Sequence, residues 1–436
     1  MMIKQFEGKK LLILGATVDE IQIINAAKEM GIYTIATDYN TDWTDSPAKF
    51  VADKAWNISW SDIDALEKKA IETVIDGVMA GYSEKRILAA IALCKRLNKP
   101  FYVEDEKVLL KTFDKQKFKN LCKHYGVPVT RDYYDAKKGF EDWSKDVIYP
   151  VVIKPADNGG SRGITTCFNK NELKQGIDYA LSFSDSGSVV VEELIKDARE
   201  VIAYYTFSNG KAVLSAMCDK YERNVSDGFN SLPDTYLYPS SHIQEYVYTH
   251  DENVKNALLD MGMREGSANL QGFYREDFGF KFFEMDFRVG GTNTYLFTDY
   301  YSNENYLKML IEYSMSGATD VTLLKNADPF LKGKYGCIFT LLSKNGTINS
   351  QEGKEIVDAW KNVLYTCFYH KIGTVIEVNG SQFPKTFRAY IVGDTIEEIK
   401  DTIIKIQNTV KVKDEFGNNM LFEKFDVNQL NTNNAC

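Results

Sequence analysis

The chemically richest stretch lies late in the chain, in SANLQGFYREDFGFKFFEMDFRVGG, residues 267–291. Two β-rich runs flank the turn-like cluster R-E-D-F-G, which predicts a hairpin. On a strand, FFEMDFR puts Phe283, Met285 and Phe287 on one face and Glu284, Asp286 and Arg288 on the other. If the hairpin closes symmetrically about Asp277 and Phe278, Gln271 stands directly opposite Glu284. Two carboxylates, an amide oxygen and a guanidinium then meet at one place. Mg²⁺ takes a few protein oxygens and completes its shell with water and substrate phosphate. A neighbouring Arg suits an anionic substrate or transition state. The alternative is a solvated sheet face, where alternating charges are common; buried without partners, these three would be costly.

A second group is VVIKPADNGGSRGI, a strand ending at Lys154 followed by Gly159, Gly160, Ser161, Arg162 and Gly163. Small residues let backbone N–H groups approach phosphate oxygens, and Lys and Arg add charge. It is not a P-loop, because G-x-x-x-x-G-K-[ST] is absent; a plain glycine-rich turn is the alternative. A third, VVVEELIKDARE, is an apolar strand leaving through paired glutamates, either an ordinary edge or a place where backbone meets an adenine edge. Asp114-Lys115 marks a helix start. Tyr236, Tyr238 and Arg264 are candidates for an acceptor pocket, with packing as the competing reading.

The elements that must position these groups alternate early in the chain. KKLLILGA is a continuous apolar run, as for a strand covered on both faces. DEIQIINAAKEMG has helical spacing up to Gly31, IYTIATD and IDGVMAGYSE carry further strands, and EKRILAAIALCKRLN is a periodic helix. Repeated βα units imply a parallel, doubly wound sheet. Gly15 sits in G-A-T-V-D-E rather than G-x-G-x-x-G, which disfavours an NAD site. Residues 128–200 read as β-rich with one helix, and from 201 onward strands are expected to alternate with helices again. A β-α-β stretch, FRAYIVGDTIEEIKDTIIKIQNTVKV, closes the fold.

Composition narrows the classes. With 44% hydrophobic and 26% charged residues, the 436-residue chain is neither disordered nor collagen-like. No run reaches the roughly 18 apolar residues of a membrane span, and the first apolar run feeds a helix rather than a cleavage site. The net charge of -9 argues against a nucleic-acid binder. Seven scattered cysteines suggest reduced thiols, and four dispersed histidines disfavour a His-rich metal centre. A cytoplasmic protein is expected.

In order along the chain, Lys115, Lys154 with its glycine loop, Glu192-Glu193-Leu194-Ile195, and Gln271…Glu284-x-Asp286-x-Arg288 resemble the ATP-grasp superfamily. The chain is similar to its carbamoyl-phosphate-synthetase-like and biotin-carboxylase-like branch, which includes carboxylate–amine ligases. The resemblance implies an α/β fold, α+β in part. It comprises a Rossmann-like preATP-grasp domain (1–110), a lid and nucleotide-binding subdomain (111–200), a metal and catalytic subdomain (201–325) and a C-terminal α+β region (326–436).

The same resemblance implies that Lys115 and Lys154 contact ATP phosphates and that loop 158–163, with Gly160, Ser161, Arg162 and Gly163, folds over them as a lid. Glu192 would face the adenine amino group, with the backbone of Glu193 and Ile195, flanking Leu194, on the adenine edge. Glu200 would bind ribose hydroxyls. Gln271, Glu284 and Asp286 would hold Mg²⁺, or Mn²⁺ in its place, and Arg288 would steady the transferred phosphoryl group. Two departures stand out: Asp286 replaces the usual Asn, and the spacer before Glu200 is about one residue longer than usual. The implied activity is ADP-forming ligation of a small carboxylate to a small amine through an acyl phosphate, with no nucleic-acid or membrane partner and a homodimer as the commonest assembly. The alternatives are an ATP-binding regulatory protein that has lost turnover, and an NAD-dependent oxidoreductase resting on the first domain alone.

Overall fold

The computed structural model describes residues 6–134, 137–157, 163–224, 231–319, 321–378 and 384–430. Its first layer is a parallel sheet ordered β3-β2-β1-β4, with β1 Lys10–Leu14, β2 Tyr33–Thr37, β3 Lys54–Trp56 and β4 Gly77–Met79. Leu11 to Leu14 are fully buried, as the unbroken apolar run requires of a strand covered on both faces. The helix Glu20–Glu29 ends where Gly31 takes a left-handed backbone. The helix Glu84–Leu97 follows β4, so Glu84 opens beside the carboxyl end of the central strands.

The second layer is small. Strands β5 Val151–Pro155, β6 Thr165–Cys167 and β7 Val189–Glu193 form an antiparallel sheet ordered β6-β5-β7, packed against the helix Lys170–Leu181. The helix Lys115–His124 starts where expected, since the Asp114 side chain accepts from the N–H groups of Gln116 and Lys117 at 3.1 Å each.

The third layer departs from the expected alternation of strands and helices. Strands β8 Arg199–Ser208, β9 Lys211–Asn224 and β10 Ser231–Tyr238 follow one another without an intervening helix among the described residues. Asn209 and Gly210 both have positive φ, the geometry that folds β8 tightly back onto β9. After two helices come β11 Gly266–Arg275 and β12 Gly279–Asp286, then β13 Tyr335–Leu342, β14 Gly346–Thr347, β15 Ser350–Glu352, β16 Val363–Phe368, β17 Val375–Ile376, β18 Lys385–Gly393 and β19 Lys411–Lys413. Eight of these make one antiparallel sheet ordered β12-β11-β8-β9-β10-β13-β18-β16, which continues across residue 325; β14 pairs with β17, and β15 with β19. The closing strand-helix-strand stretch is present, but its two strands enter different sheets.

Directly opposed residues of an antiparallel sheet share a face. One row of the eight-stranded sheet therefore runs Glu200, Lys220, Tyr236, Ile338, Tyr390, Tyr365. The opposite face is apolar. Val201, Ala203, Tyr205 and Leu270 join the main core there, while Phe339, Phe387, Ala389 and Ile391 pack with Ile399, Ile403 and Ile406 of the helix Ile396–Thr409.

Candidate active site

The β11–β12 hairpin closes with Arg275 opposite Gly279, so its loop is Glu276 to Phe278, centred on Asp277. That register alone would misplace Gln271 by one residue. A bulge at Phe283 restores it, and Gln271 does stand opposite Glu284, with Asn269 opposite Asp286. The bulge also corrects the expected faces. Phe280, Phe282, Met285 and Phe287 enter the core, whereas Phe283 does not share the face of Met285 and Phe287. Its ring stacks on Phe273, centroids 4.9 Å apart, and the Lys154 ammonium lies 4.9 Å from its centroid.

Around this ribbon the charges interlock. Arg288 donates from Nε to Glu84 Oε1 at 2.5 Å and from Nη2 to Asp286 Oδ2 at 3.1 Å; Gln271 Nε2 reaches Asp286 Oδ2 at 3.5 Å. Burial pushes Asp286 up to about 7, with Arg288 opposing and Glu284 and Glu84 reinforcing the rise. Lys115 Nζ lies 3.8 Å from Glu284 Oε2, and the lysine is buried rather than exposed.

Glu192 is held by two lysines. Lys154 Nζ is 2.8 Å from Oε2, and Lys119, fully buried, pairs with Oε1. Burial pushes the Glu192 carboxyl up, but the Lys154 and Lys119 ammonium groups outweigh it and the net shift is downward. In the described state this carboxylate thus faces lysines. Glu193 Oε1 pairs with Lys281 at 2.8 Å and accepts from Arg131 N–H at 2.8 Å; Leu194 N–H donates to Pro150 O. Ile195 is the second residue past the end of β7. Glu200 pairs with Lys220 at 2.7 Å and is raised to about 7, by burial first, against the pull of Lys220 and with Glu222 and Glu284 adding to it. Gly163 packs where an added Cβ would meet Phe183 at 2.8 Å and Pro155 at 2.9 Å. Gly160, Ser161 and Arg162, and with them the lid expectation, lie outside the described residues.

The structure therefore gathers Lys115, Lys154, Glu192, Glu200, Gln271, Glu284, Asp286 and Arg288 around one end of the large sheet. Three neighbours were not anticipated: Glu84, Lys119 and Phe283. Lys119 carried a signal, because it lies four residues after Lys115 on one helix face. Of the acceptor candidates, Tyr236 and Tyr238 are buried within the large sheet. Arg264 is exposed and donates to the carbonyls of Leu259 and Met263. The six described cysteines are buried and unpaired, and Cys436 lies outside the described residues.

Comparison with known proteins meets this geometry. Residues 121–295 match the family model described as D-ala D-ala ligase C-terminus. The chain is 28% identical over 215 residues to the 2-oxoglutarate carboxylase small subunit of Hydrogenobacter thermophilus, covering 44% of each chain. It is 33% identical over 183 residues to the D-alanine–D-alanine ligase of Staphylococcus haemolyticus, covering 38% of this chain and 47% of that one. Each match thus spans less than half the relative's length. The fold is similar to the biotin carboxylase domain of the Hydrogenobacter 2-oxoglutarate carboxylase, solved as a dimer with MgADP, ADP and bicarbonate. That likeness has a TM-score of 0.76 at 18% identity and covers 93% of this chain and 90% of that one.

The fold is the ATP-grasp fold, and residues 121–295 carry the similarity to the D-ala D-ala ligase C-terminus family. The chain's relatives include members of the biotin-carboxylase and carbamoyl-phosphate-synthase branch. Among the described residues no helix is long and apolar enough to cross a membrane.

Proposed function

We propose that this chain is an ATP- and Mg²⁺-dependent carboxylate–amine ligase. A substrate carboxylate takes the γ-phosphoryl group of ATP, giving ADP and an acyl phosphate. An amine then displaces phosphate and forms an amide. The observation that carries this reading is the approach of Lys115 to Glu284 at 3.8 Å, which sets a buried ammonium against a carboxylate of the acidic ribbon.

The donor set fits a divalent cation that shares its shell with phosphate. Glu284, Asp286 and Gln271 offer two carboxylates and an amide oxygen. These three side chains would hold the ion and leave positions in its shell for substrate oxygens and water. Like charges crowd Asp286, and a cation there would relieve them. The bound ion supplies charge neutralisation between phosphate oxygens.

The chain's own groups do the rest. Lys154 and Lys115 orient the triphosphate, and Arg288, held by Glu84 and Asp286, meets charge developing on the transferred group. Phosphoryl transfer asks for positioning and charge compensation more than for a protein nucleophile. Glu200 at the sheet face is assigned to the ribose, and the backbone of Glu193 to Ile195 to the adenine edge. Small molecules are the only partners in this reading, which places the enzyme in the cytoplasm as a homodimer.

The test is ADP release from Mg·ATP across pooled carboxylates and amines, with product masses read for the wild type, Lys154→Ala and Glu284→Ala. Turnover in the wild type that both variants lose is expected. Equal turnover in either variant removes the assignment, and nucleotide binding without turnover on any pool favours a regulatory ATP-grasp protein.

A further inference from the structure

The reverse of the β11–β12 hairpin carries a cavity of its own. Phe273 and Tyr274 are neighbours on β11, so their side chains leave by opposite faces. Phe273 stands opposite Glu200 and shares its face. Tyr274, opposite Phe280, lies instead against the start of the helix Ile243–Thr249. Between hairpin and helix is a cavity of about 380 Å³ lined by Ser241, His242, Gln244, Glu245, Tyr248 and Tyr274. Glu245 and Tyr248 are three residues apart on the helix and so share a side of it.

The rim is held in place. Asp219, only 1% exposed, accepts from Ser240 Oγ at 2.5 Å and from the Ser241 N–H and Oγ at 3.0 and 2.7 Å, which anchors the chain entering the helix. The His242 ring stacks on Tyr274 with centroids 3.6 Å apart. The Tyr274 hydroxyl donates to Glu245 Oε2 at 2.9 Å. Among the described residues Glu245 Oε1 has no hydrogen-bond partner, and no cation lies within 4 Å of that carboxylate.

The chemistry of the lining selects one kind of ligand. Burial lowers the basicity of His242; Arg199 adds to the fall, and Asp219, Glu245 and Glu276 oppose it. The ring is therefore an aromatic wall rather than a competing charge. Arg199 is itself engaged by the Tyr221 ring, 3.8 Å from its centroid. With Glu245 and Glu276 outweighing it, the cavity repels anions. A hard metal ion wants several oxygens and finds one carboxylate. A neutral apolar molecule would cover Glu245 without pairing it. A cation with a carbon body satisfies both features, because aromatic faces attract it and the carboxylate neutralises it. The volume is that of an ordinary small-ligand pocket.

We propose that this cavity binds a free small organic cation, an alkylammonium group on a short aliphatic body, with Glu245 pairing the charge and Tyr248, Tyr274 and His242 covering the carbon. The site lies on the face of the sheet opposite the proposed nucleotide site and stands independently of the ligase reading. Tyr274 is three residues from Gln271 on one strand, so the ligand meets the back of the acidic ribbon.

Isothermal titration of the full chain tests it with choline and butylammonium as probes. The controls are the uncharged isostere of choline, with carbon in place of nitrogen, and butanol. The wild type binds at least one cation at least tenfold more tightly than its control. Glu245→Gln weakens that binding about tenfold or more and Tyr248→Ala severalfold, while Mg·ADP affinity holds. Tighter choline assigns a quaternary ammonium, and tighter butylammonium a primary one. A wild type that binds neither cation overturns the proposal, as does equal binding of the control or undiminished binding in Glu245→Gln. Displacement of the cation by saturating Mg·ADP also overturns it, since the two sites are on opposite faces. If Glu245→Gln lacks a cooperative melt, Tyr248→Ala decides alone, because that side chain is 91% exposed. A wild type that binds the cation but not Mg·ADP supports this site and counts against the ligase reading alone.

Discussion

Arg288 and Glu84 are 204 residues apart in sequence and joined by a 2.5 Å hydrogen bond from Nε to Oε1. The bond ties the first helix after β4 to the acidic ribbon, so the parallel layer helps aim the guanidinium. Burial alone would raise the Glu84 carboxyl, but Arg288 more than offsets it and holds it lowered.

Glu84→Gln keeps a neutral acceptor but removes the charge that orients Arg288. Turnover is expected to fall about tenfold, the scale of one charge-assisted hydrogen bond, with ATP affinity little changed. Steady-state kinetics with ATP varied checks this. A rise in the KM for ATP at constant kcat would mean that Glu84 serves nucleotide binding instead.

Asp286 holds an extra negative charge where the resemblance leads one to expect Asn. Asp286→Asn keeps the shape and removes that charge from beside Glu284 and Glu84. Fewer charged ligands weaken a hard-cation site. The Mg²⁺ concentration that supports half-maximal ADP release is expected to rise severalfold, read by metal titration at fixed ATP. An unchanged midpoint would take Asp286 out of the metal shell and leave it as the partner of Arg288.

Much of this site could be read from residue spacing, because its parts are local. Asp114 capping the helix of Lys115 depends on a few neighbouring residues, whereas Gln271 faces Glu284 as expected only because the bulge at Phe283 offsets a one-residue shift of the turn. What was missed is non-local or depends on a bulge. Phe283 changes face because one extra residue interrupts the pairing, and alternation alone cannot announce that. Glu84 meets Arg288 only through the packing of two layers. The large sheet escaped for a related reason: β10 pairs with β13 across about a hundred residues, where sequence period carries no signal. The Asn209-Gly210 turn, with positive φ at both residues, folds β8 back onto β9 where a helix was expected.

The small three-stranded layer depends on close approach by one glycine. A Cβ on Gly176, in the helix Lys170–Leu181, would lie 2.6 Å from Ile153 Cδ1 and 2.7 Å from Cys167 Sγ. Removing a helical glycine gains at most about 1 kcal/mol, whereas overpacking such a contact costs about 1–3 kcal/mol. A branched side chain puts the second effect ahead. Gly176→Val is expected to destabilise the protein by about 2 kcal/mol in urea unfolding, and to weaken nucleotide binding by shifting β5 with its Lys154. Stability equal to wild type would show that Ile153 and Cys167 yield freely.

Glu304 offers a test of buried charge away from the site. It is fully buried, Ser215 Oγ donates to its Oε1 at 2.5 Å, and its Oε2 has no partner among the described residues. Burial pushes its carboxyl up to about 7 despite the Ser215 and Thr206 hydroxyls. Between the ordinary glutamate value and about 7 the folded chain therefore holds a proton that the unfolded chain has released. The associated stability is complete below the ordinary value and is lost as pH rises through about 7. A shift of this size corresponds to about 3 kcal/mol. Glu304→Gln has no proton to lose, so from mildly acidic to mildly alkaline solution its stability should gain on the wild type by about that amount. Urea melts of both proteins across the range measure it, and parallel curves would mean that Glu304 is already ionised in the folded protein.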